Sequence, residues 1–202
     1  AAAQEEKAAP RGGSRITRTP PPPADQPKDR GKSPSKGQTI LGWWLPHIGE
    51  RSGSPAKALS ARLRRATAIE ALAEPAVHAL AKALDLKRTA HDTEALVRLA
   101  LVLAWVREHE PGAQQRLAQK LGRGDPPLLS ALRFQRLMRA EGHEIVTALR
   151  RALPLTQYRC NVAALGEDLL YWNDQTRTRW SFDYFGAEPP LNPSNPTDSQ
   201  ET

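Results

Sequence analysis

The sequence predicts an all-α protein of about eight or nine helices in two lobes, with disordered tails. Apolar residues recur at helical spacing through the middle of the chain, and no run alternates in the manner of a half-buried strand. Neither Asn-Gly nor Asp-Gly, the strongest hairpin signals, occurs in the chain. The expected division is a basic Pro-rich tail at 1–37, an N-terminal helical lobe at 38–88, a C-terminal helical bundle at 89–186 and an acidic tail at 187–202.

The predicted N-terminal lobe contains three helices. The first covers about Thr39–Gly49 and carries Trp43–Trp44. The second begins at Ser54–Pro55, because serine is a good N-cap and proline fits the first helical turn. A short turn near Ile69–Ala73 leads to Pro75, which begins the third helix.

The C-terminal bundle follows a weak boundary near Leu86–His91. We expect Asp92 or Thr93 to cap its longest helix, which extends to about Glu108 and ends before Pro111–Gly112. This helix is apolar nearly all round, so it should lie at the centre of the bundle, and its Trp105 should be a core residue, like Trp172. Further helices are predicted at Ala113–Leu121, Leu128–Ala140 and His143–Leu153, after Asn161, and in the aromatic segment around Trp180–Phe185.

Arginine dominates the charge of the helical middle. The chain has a net charge of +7, and 17 of the 21 basic residues between positions 41 and 182 are arginine. Guanidinium binds phosphate through a planar and often bidentate fork, whereas lysine acts as a point charge. A GC-rich genome would explain arginine over lysine, but it would not explain the positive net charge. The balance therefore favours a nucleic-acid partner.

One predicted helix separates its basic and apolar residues clearly. Arg133, Arg136 and Arg139 cover one side, while Phe134 and Leu137 lie on the other. Stacked arginines repel each other, so they need an anion, nearby carboxylates or good solvation. A solvated face alone would satisfy this requirement, but the basic bias extends through the whole chain.

Motifs for catalysis or metal binding are lacking, so we expect a non-enzyme without metal or cofactor. The five histidines include no i, i+4 pair, and a single cysteine excludes a Cys-based zinc site. Gly31–Ser33 resembles the end of a Walker A loop but lacks its upstream glycine. Glu167–Asp168 is predicted to be a surface ion-pair partner for arginine. No signal peptide or long apolar run is found, which favours a soluble cytoplasmic protein without membrane contact.

The order of several short motifs resembles the CasB family, the small subunit of the type I-E CRISPR Cascade surveillance complex. The resemblance covers about Thr39 to Tyr184, and it depends on motif order and spacing because each motif alone is common. The motifs are Trp43–Trp44, LRRA at Leu63–Ala66, QRLA at Gln115–Ala118, RFQRLMR at Arg133–Arg139, LRRAL at Leu149–Leu153 and DLLYW at Asp168–Trp172.

The resemblance implies an all-α, non-catalytic subunit with two helical lobes. It implies as partners the other Cascade subunits, a second copy of the chain, the guide RNA-containing complex and the single-stranded DNA of the R-loop. Basic residues of the family grip the target strand and help to hold the displaced strand. The candidate nucleic-acid-binding residues are, in order of preference, Arg64, Arg65, Arg150 and Arg151, then Arg136 and Arg139, then Arg133 and Arg62, with Lys87 and Arg88 as weaker candidates.

Two other classes stay open at this point. A helical adaptor that binds only protein would leave its arginines solvated or paired. A helix-turn-helix regulator would need polar base-reading residues at the start of a recognition helix, which Pro126–Ser130 does not supply.

Overall fold

The structure is a computed structural model that describes residues 34–49 and 53–186. This part of the chain contains ten α-helices and one pair of two-residue strands, so the predicted all-α class is confirmed. The helices are α1 (Lys36–Trp44), α2 (Ser54–Arg65), α3 (Ala68–Leu72), α4 (Pro75–Ala83), α5 (Ala90–Leu103), α6 (Leu117–Leu121), α7 (Ala131–Arg139), α8 (Gly142–Ala152), α9 (Val162–Leu170) and α10 (Asp174–Phe185). The strands are β1 (Glu108–His109) and β2 (Arg159–Cys160).

Helix α1 begins earlier than predicted, because Ser35 caps it. The Ser35 side chain accepts a hydrogen bond from the Gln38 backbone N–H at 3.2 Å. Lys36 and Gly37, which the sequence places in the N-terminal tail, are therefore helical. Most of that tail, and the predicted tail at 187–202, lie outside the described residues. A π-helical turn at Leu45–Gly49 continues α1.

A full helix, α3, stands where the sequence predicts only a turn. Thr67 and Glu70 form a capping box: the Thr67 hydroxyl accepts from the Glu70 N–H, and the Glu70 carboxylate accepts from the Thr67 N–H. The box satisfies two backbone donors that a short helix otherwise leaves open. The predicted start of the next helix at Pro75 is confirmed.

Helix α5 forms the centre of the bundle, as predicted, but both of its ends differ from the prediction. Thr89, not Asp92 or Thr93, is the N-cap, with its hydroxyl 3.1 Å from the Asp92 backbone nitrogen. The helix ends at Leu103, with Ala104 as its C-cap, and a short turn leads to β1, which pairs in parallel with β2.

Helices α1 and α9 pack closely because glycines face the contact. A Cβ at Gly37 would lie 2.7 Å from the Ala163 carbonyl oxygen, and one at Gly166 would lie 2.5 Å from Ile40 Cγ2. The buried apolar residues form one cluster that includes both N-terminal and C-terminal helices. This cluster crosses the boundary expected near residues 86–91, and the division into two lobes stays a prediction.

Two of the five tryptophans are less buried than the sequence predicts. Trp43, Trp44 and Trp180 are buried, and each indole N–H donates a hydrogen bond, to Ala76 O, Leu103 O and Asp168 Oδ2 respectively. Trp105 and Trp172, predicted as core, are only half-buried.

Asp168 is not the surface residue that the sequence predicts. It is 4% exposed and contacts the Arg179 guanidinium as well as the Trp180 indole. Burial raises the pKa of Asp168, although Arg179 opposes this shift. Cys160 is fully buried, and burial raises the pKa of its thiol to about 12.

Candidate nucleic-acid interface

The candidate basic residues differ in whether carboxylates of the same chain neutralise them. Arg62 makes a bidentate pair with Glu74, with Nε–Oε1 and Nη2–Oε2 distances of 2.5 and 2.9 Å. The hydrogen bond from Arg62 lowers the pKa of Glu74. The Lys87 ammonium lies 3.5 Å from the Asp85 carboxylate, and both side chains are exposed. The Arg62 fork is thus already occupied, which makes Arg62 the weakest candidate of the set.

Helices α7 and α8 form a basic groove. Arg133, Arg136 and Arg139 on α7 and Arg151 on α8 are exposed, and none forms an ion pair with another residue that the structure describes. Between the helices lies a cavity of about 780 Å³, here called the α7–α8 groove. Its lining includes Arg133, Arg136 and Arg151 together with His143, Glu144 and Leu137.

The segregation of α7 follows from its residue spacing. Phe134 and Leu137 are buried and Met138 is half-buried, while the three arginines face outward. Leu129, which falls on the arginine side of the helical wheel, precedes the helix and is buried. Within α7 the predicted amphipathic arrangement holds for these residues, with one exception: Leu132 lies on the arginine side and is 58% exposed.

A second basic group surrounds the half-buried Trp105, and it is here called the Trp105 cluster. The guanidinium carbons of Arg64 and Arg150 each lie 5.8 Å from the centre of the Trp105 ring. The Tyr158 ring stacks on Trp105 with centroids 6.5 Å apart, and the Arg107 guanidinium lies 4.2 Å from the Tyr158 ring centre. Three arginines thus pack on two aromatic rings, an arrangement that favours cations.

The electrostatics of the Trp105 cluster are unfavourable for its arginines in isolation. Burial lowers the pKa of Arg64, and the charge of Arg107 lowers it further. Burial also lowers the pKa of Arg150, whose Nε and Nη2 atoms are buried without a hydrogen-bond partner among the described residues. The Nε of Arg64 donates to the Ala104 carbonyl at 2.9 Å. Because guanidinium stays charged in proteins, a bound anion would stabilise this cluster.

Three members of this cluster, Arg107, Trp105 and Tyr158, are absent from the candidates that the sequence supplies. An arginine two positions after a tryptophan is a signal for a cation–aromatic site, but residues 64, 107, 150 and 158 are too distant in sequence to be joined by spacing. The tertiary fold brings them together at the end of α5.

The remaining candidates lie apart from these two groups or at their edge. Arg65 is exposed and makes no ion pair within the described ranges. Arg88 is exposed and lines a second cavity of about 510 Å³, with the buried Arg98 and the groove residue His143. Arg98 is engaged internally, since its Nε donates to the Leu169 carbonyl at 2.8 Å.

Within residues 34–49 and 53–186, no group of three His, Cys, Asp or Glu side chains is placed to hold a metal ion. None of the helices described there is both long and apolar enough to cross a membrane.

The fold and this surface define a basic, helical protein in which arginines on α7, on α8 and around Trp105 have no carboxylate partner among residues 34–49 and 53–186. A family model described as CRISPR-associated protein Cse2 matches residues 60–185, and the chain therefore belongs to the Cse2 family. The resemblance found in the sequence is thereby confirmed.

Two solved structures are similar to this chain. CasB from Thermus thermophilus is 25% identical, with a TM-score of 0.57 over 75% of this chain and 98% of that chain. A chain in the structure of E. coli Cascade bound to a PAM-containing double-stranded DNA target is 18% identical, with a TM-score of 0.49 over 72% of this chain and 91% of that chain. No curated protein sequence matches this chain.

Proposed function

We propose that this chain is the non-catalytic small subunit of a type I-E Cascade complex and that it holds the DNA strands of the R-loop by their backbones. Membership of the Cse2 family and the likeness to almost the whole length of CasB support this role. Its partners are then the other Cascade subunits, a second copy of itself, and the guide RNA-containing assembly in the cytoplasm.

One observation carries the nucleic-acid part of the proposal: many guanidinium groups have no carboxylate partner within the described part of the chain. Arg65, Arg133, Arg136, Arg139 and Arg151 are exposed and unpaired there. Guanidinium groups spread over several helices suit a polymer of phosphates better than a single small anion.

The physical role of such phosphate binding follows from the energetics of R-loops. Base pairing with the guide reads the sequence, and exchange of one duplex for another is nearly balanced in free energy. A few interactions with the backbone that ignore sequence can therefore shift the balance toward the open state. This role requires arginines along a path and no base-reading pocket.

The two arginine groups are proposed to act differently on the DNA backbone. The Trp105 cluster holds Arg64 and Arg150 against a rigid aromatic wall, so these guanidinium groups lose little side-chain entropy when they bind phosphate. The exposed arginines of α7 and α8 supply charge without fixed orientation. Arg150 is therefore an unsuitable site for charge reversal, because a carboxylate there would be half-buried beside Trp105.

The test uses the assembled complex with Arg139→Glu and Arg151→Glu combined in this subunit. Both residues are exposed, so the subunit should fold and assemble, and guide RNA should stay bound. The fraction of target DNA that forms an R-loop, measured by permanganate footprinting of the displaced strand, should fall at least tenfold. A control for position, Arg62→Gln, removes one charge already neutralised by Glu74 and should behave like the parent.

If the double variant assembles and forms R-loops like the parent, the arginine path is not used. A subunit that assembles but never touches DNA would then be a helical adaptor that binds only protein.

A further inference from the structure

The α7–α8 groove lies beside the end of α10. The Tyr184 hydroxyl donates to the Leu129 carbonyl at 2.5 Å, and the Tyr184 ring stacks on Phe134 with centroids 3.9 Å apart. Leu129 lines the groove, and Phe134 belongs to α7. Tyr184, two residues before Gly186, therefore contacts one of the residues that line the groove.

The lining of the groove combines an apolar floor with a cationic rim. The side chain of Glu144 is the only carboxylate among its lining residues, against three arginines. The floor is formed by Leu129, Leu137, Ala140, Ala148 and Ala152. A fitting occupant is an extended acidic segment with a large apolar side chain.

The segment at 187–202 has this chemistry. It contains Glu188, Asp198 and Glu201 and no lysine or arginine, and Leu191 is its one large apolar residue. Four prolines, at positions 189, 190, 193 and 196, favour the extended polyproline conformation and reduce the entropy lost on ordering.

The reach of the segment is sufficient. Gly186, with φ +74°, ends α10, and Glu188 comes only two residues later. At about 3.1 Å per residue, the segment can extend roughly 50 Å. The longer groove helix, α8, has 11 residues, which correspond to about 17 Å at roughly 1.5 Å per residue.

We infer that residues 187–202 bind in the α7–α8 groove of the same chain, with Leu191 on the apolar floor and Glu188 against Arg133 and Arg136. The bound segment covers arginines that the proposed function assigns to phosphate. Nucleic acid must then displace it. Docking itself is independent of the proposed function, and only the competition rests on it.

The size of the competition follows from tethering. A short flexible tether gives an effective concentration of about 1 mM. A segment whose intrinsic dissociation constant is about 0.1–1 mM would then weaken single-strand binding by roughly two- to tenfold.

Docking is tested on the full chain without nucleic acid. Ser194→Cys introduces one accessible thiol for a nitroxide label, since the only native cysteine, Cys160, is fully buried. In NMR spectra, amide signals of α7 and α8 should broaden while those of α2 stay sharp. Adding Arg133→Gln, Arg136→Gln and Arg151→Gln should abolish the broadening, and circular dichroism should stay helical. Broadening that is absent, or equal over the whole surface, overturns the inference.

Competition is tested by adding unlabelled oligo-dT to the labelled chain and by measuring its affinity for tail variants. Oligo-dT should restore the broadened signals. Glu188→Gln, Asp198→Asn and Glu201→Gln combined should bind it roughly two- to tenfold more tightly. Leu191→Ser keeps the net charge and should also tighten binding, which separates lost docking from a general increase in positive charge.

The two proposals fail in distinguishable ways. If the amide signals of the groove residues broaden but oligo-dT neither binds nor restores them, docking holds and the nucleic-acid role of this groove is wrong. If oligo-dT binds and no groove signal broadens, docking is wrong and the nucleic-acid role stands.

Discussion

Removing the arginines of the α7–α8 groove should weaken the binding of single-stranded DNA and make that binding less dependent on salt. Arg133, Arg136 and Arg151 are exposed and form no ion pair in the described part of the chain, so replacing each by glutamine should change the free energy of unfolding by less than about 0.5 kcal/mol. Each phosphate that a protein neutralises on a single strand contributes roughly 0.7 to the slope of log K against log salt. The triple variant should therefore lower that slope by about 2 and the affinity at 0.1 M salt by about 100-fold.

The assay is a fluorescence-anisotropy titration of labelled oligo-dT at several salt concentrations, with urea unfolding as the stability check. A matched control removes three charges that are already paired: Arg62→Gln, Lys87→Gln and Arg159→Gln, whose partners are Glu74, Asp85, and Glu108 with Glu110. We expect the control to lower the slope by much less than about 1. An equal slope change in both triple variants would refute the reasoning, because total charge rather than this groove would then determine binding.

Two further predictions concern stability. Gly166→Ala should destabilise the chain by about 1–3 kcal/mol in urea unfolding, because its Cβ would lie 2.5 Å from Ile40 Cγ2. Gly42→Ala in α1 is the control: its Cβ meets no atom within 4 Å, and the substitution should stabilise the chain by about 0.5–1 kcal/mol. Equal effects of the two substitutions would contradict the close α1–α9 packing. The hydrogen bond from Lys120 lowers the pKa of Glu110 from 4.5, so this pair stabilises the fold above about pH 4.5 and ceases to do so as the pH falls through the folded-state pKa. Glu110→Gln should make the loss of stability below about pH 4.5 shallower, as measured by urea midpoints. An unchanged loss of stability in acid would show that the pair contributes nothing.

The helices were predictable because their signals are local. Proline at position 75, the Asn161 cap and the apolar spacing of α7 each determine structure within a few residues. The short helix α3 was missed because its five residues carry little periodicity, although Thr67 and Glu70 are a readable capping box. The β1–β2 pair could not be predicted, since two-residue strands show no alternation and their partners lie 51 residues apart.

The free or paired state of each arginine was not accessible from sequence. Arg62 and Glu74 are 12 positions apart, and Glu74 lies outside the helix that carries Arg62, so no helical i, i+4 rule joins them. The sequence could rank arginines by motif, but it could not separate Arg62, whose fork is occupied, from Arg65, which makes no ion pair in the described structure.

The same limit explains why the two Arg-Arg motifs are not two equivalent pairs. Adjacent residues on a helix point about 100° apart, so each motif directs one guanidinium inward and one outward. Arg64 and Arg150 pack on Trp105 from different helices, while their neighbours Arg65 and Arg151 stay exposed. A double substitution within one motif therefore combines a packing change with a surface-charge change. Single substitutions are needed to separate the two, because a helix that loses Arg150 loses an aromatic contact and a helix that loses Arg151 loses only charge.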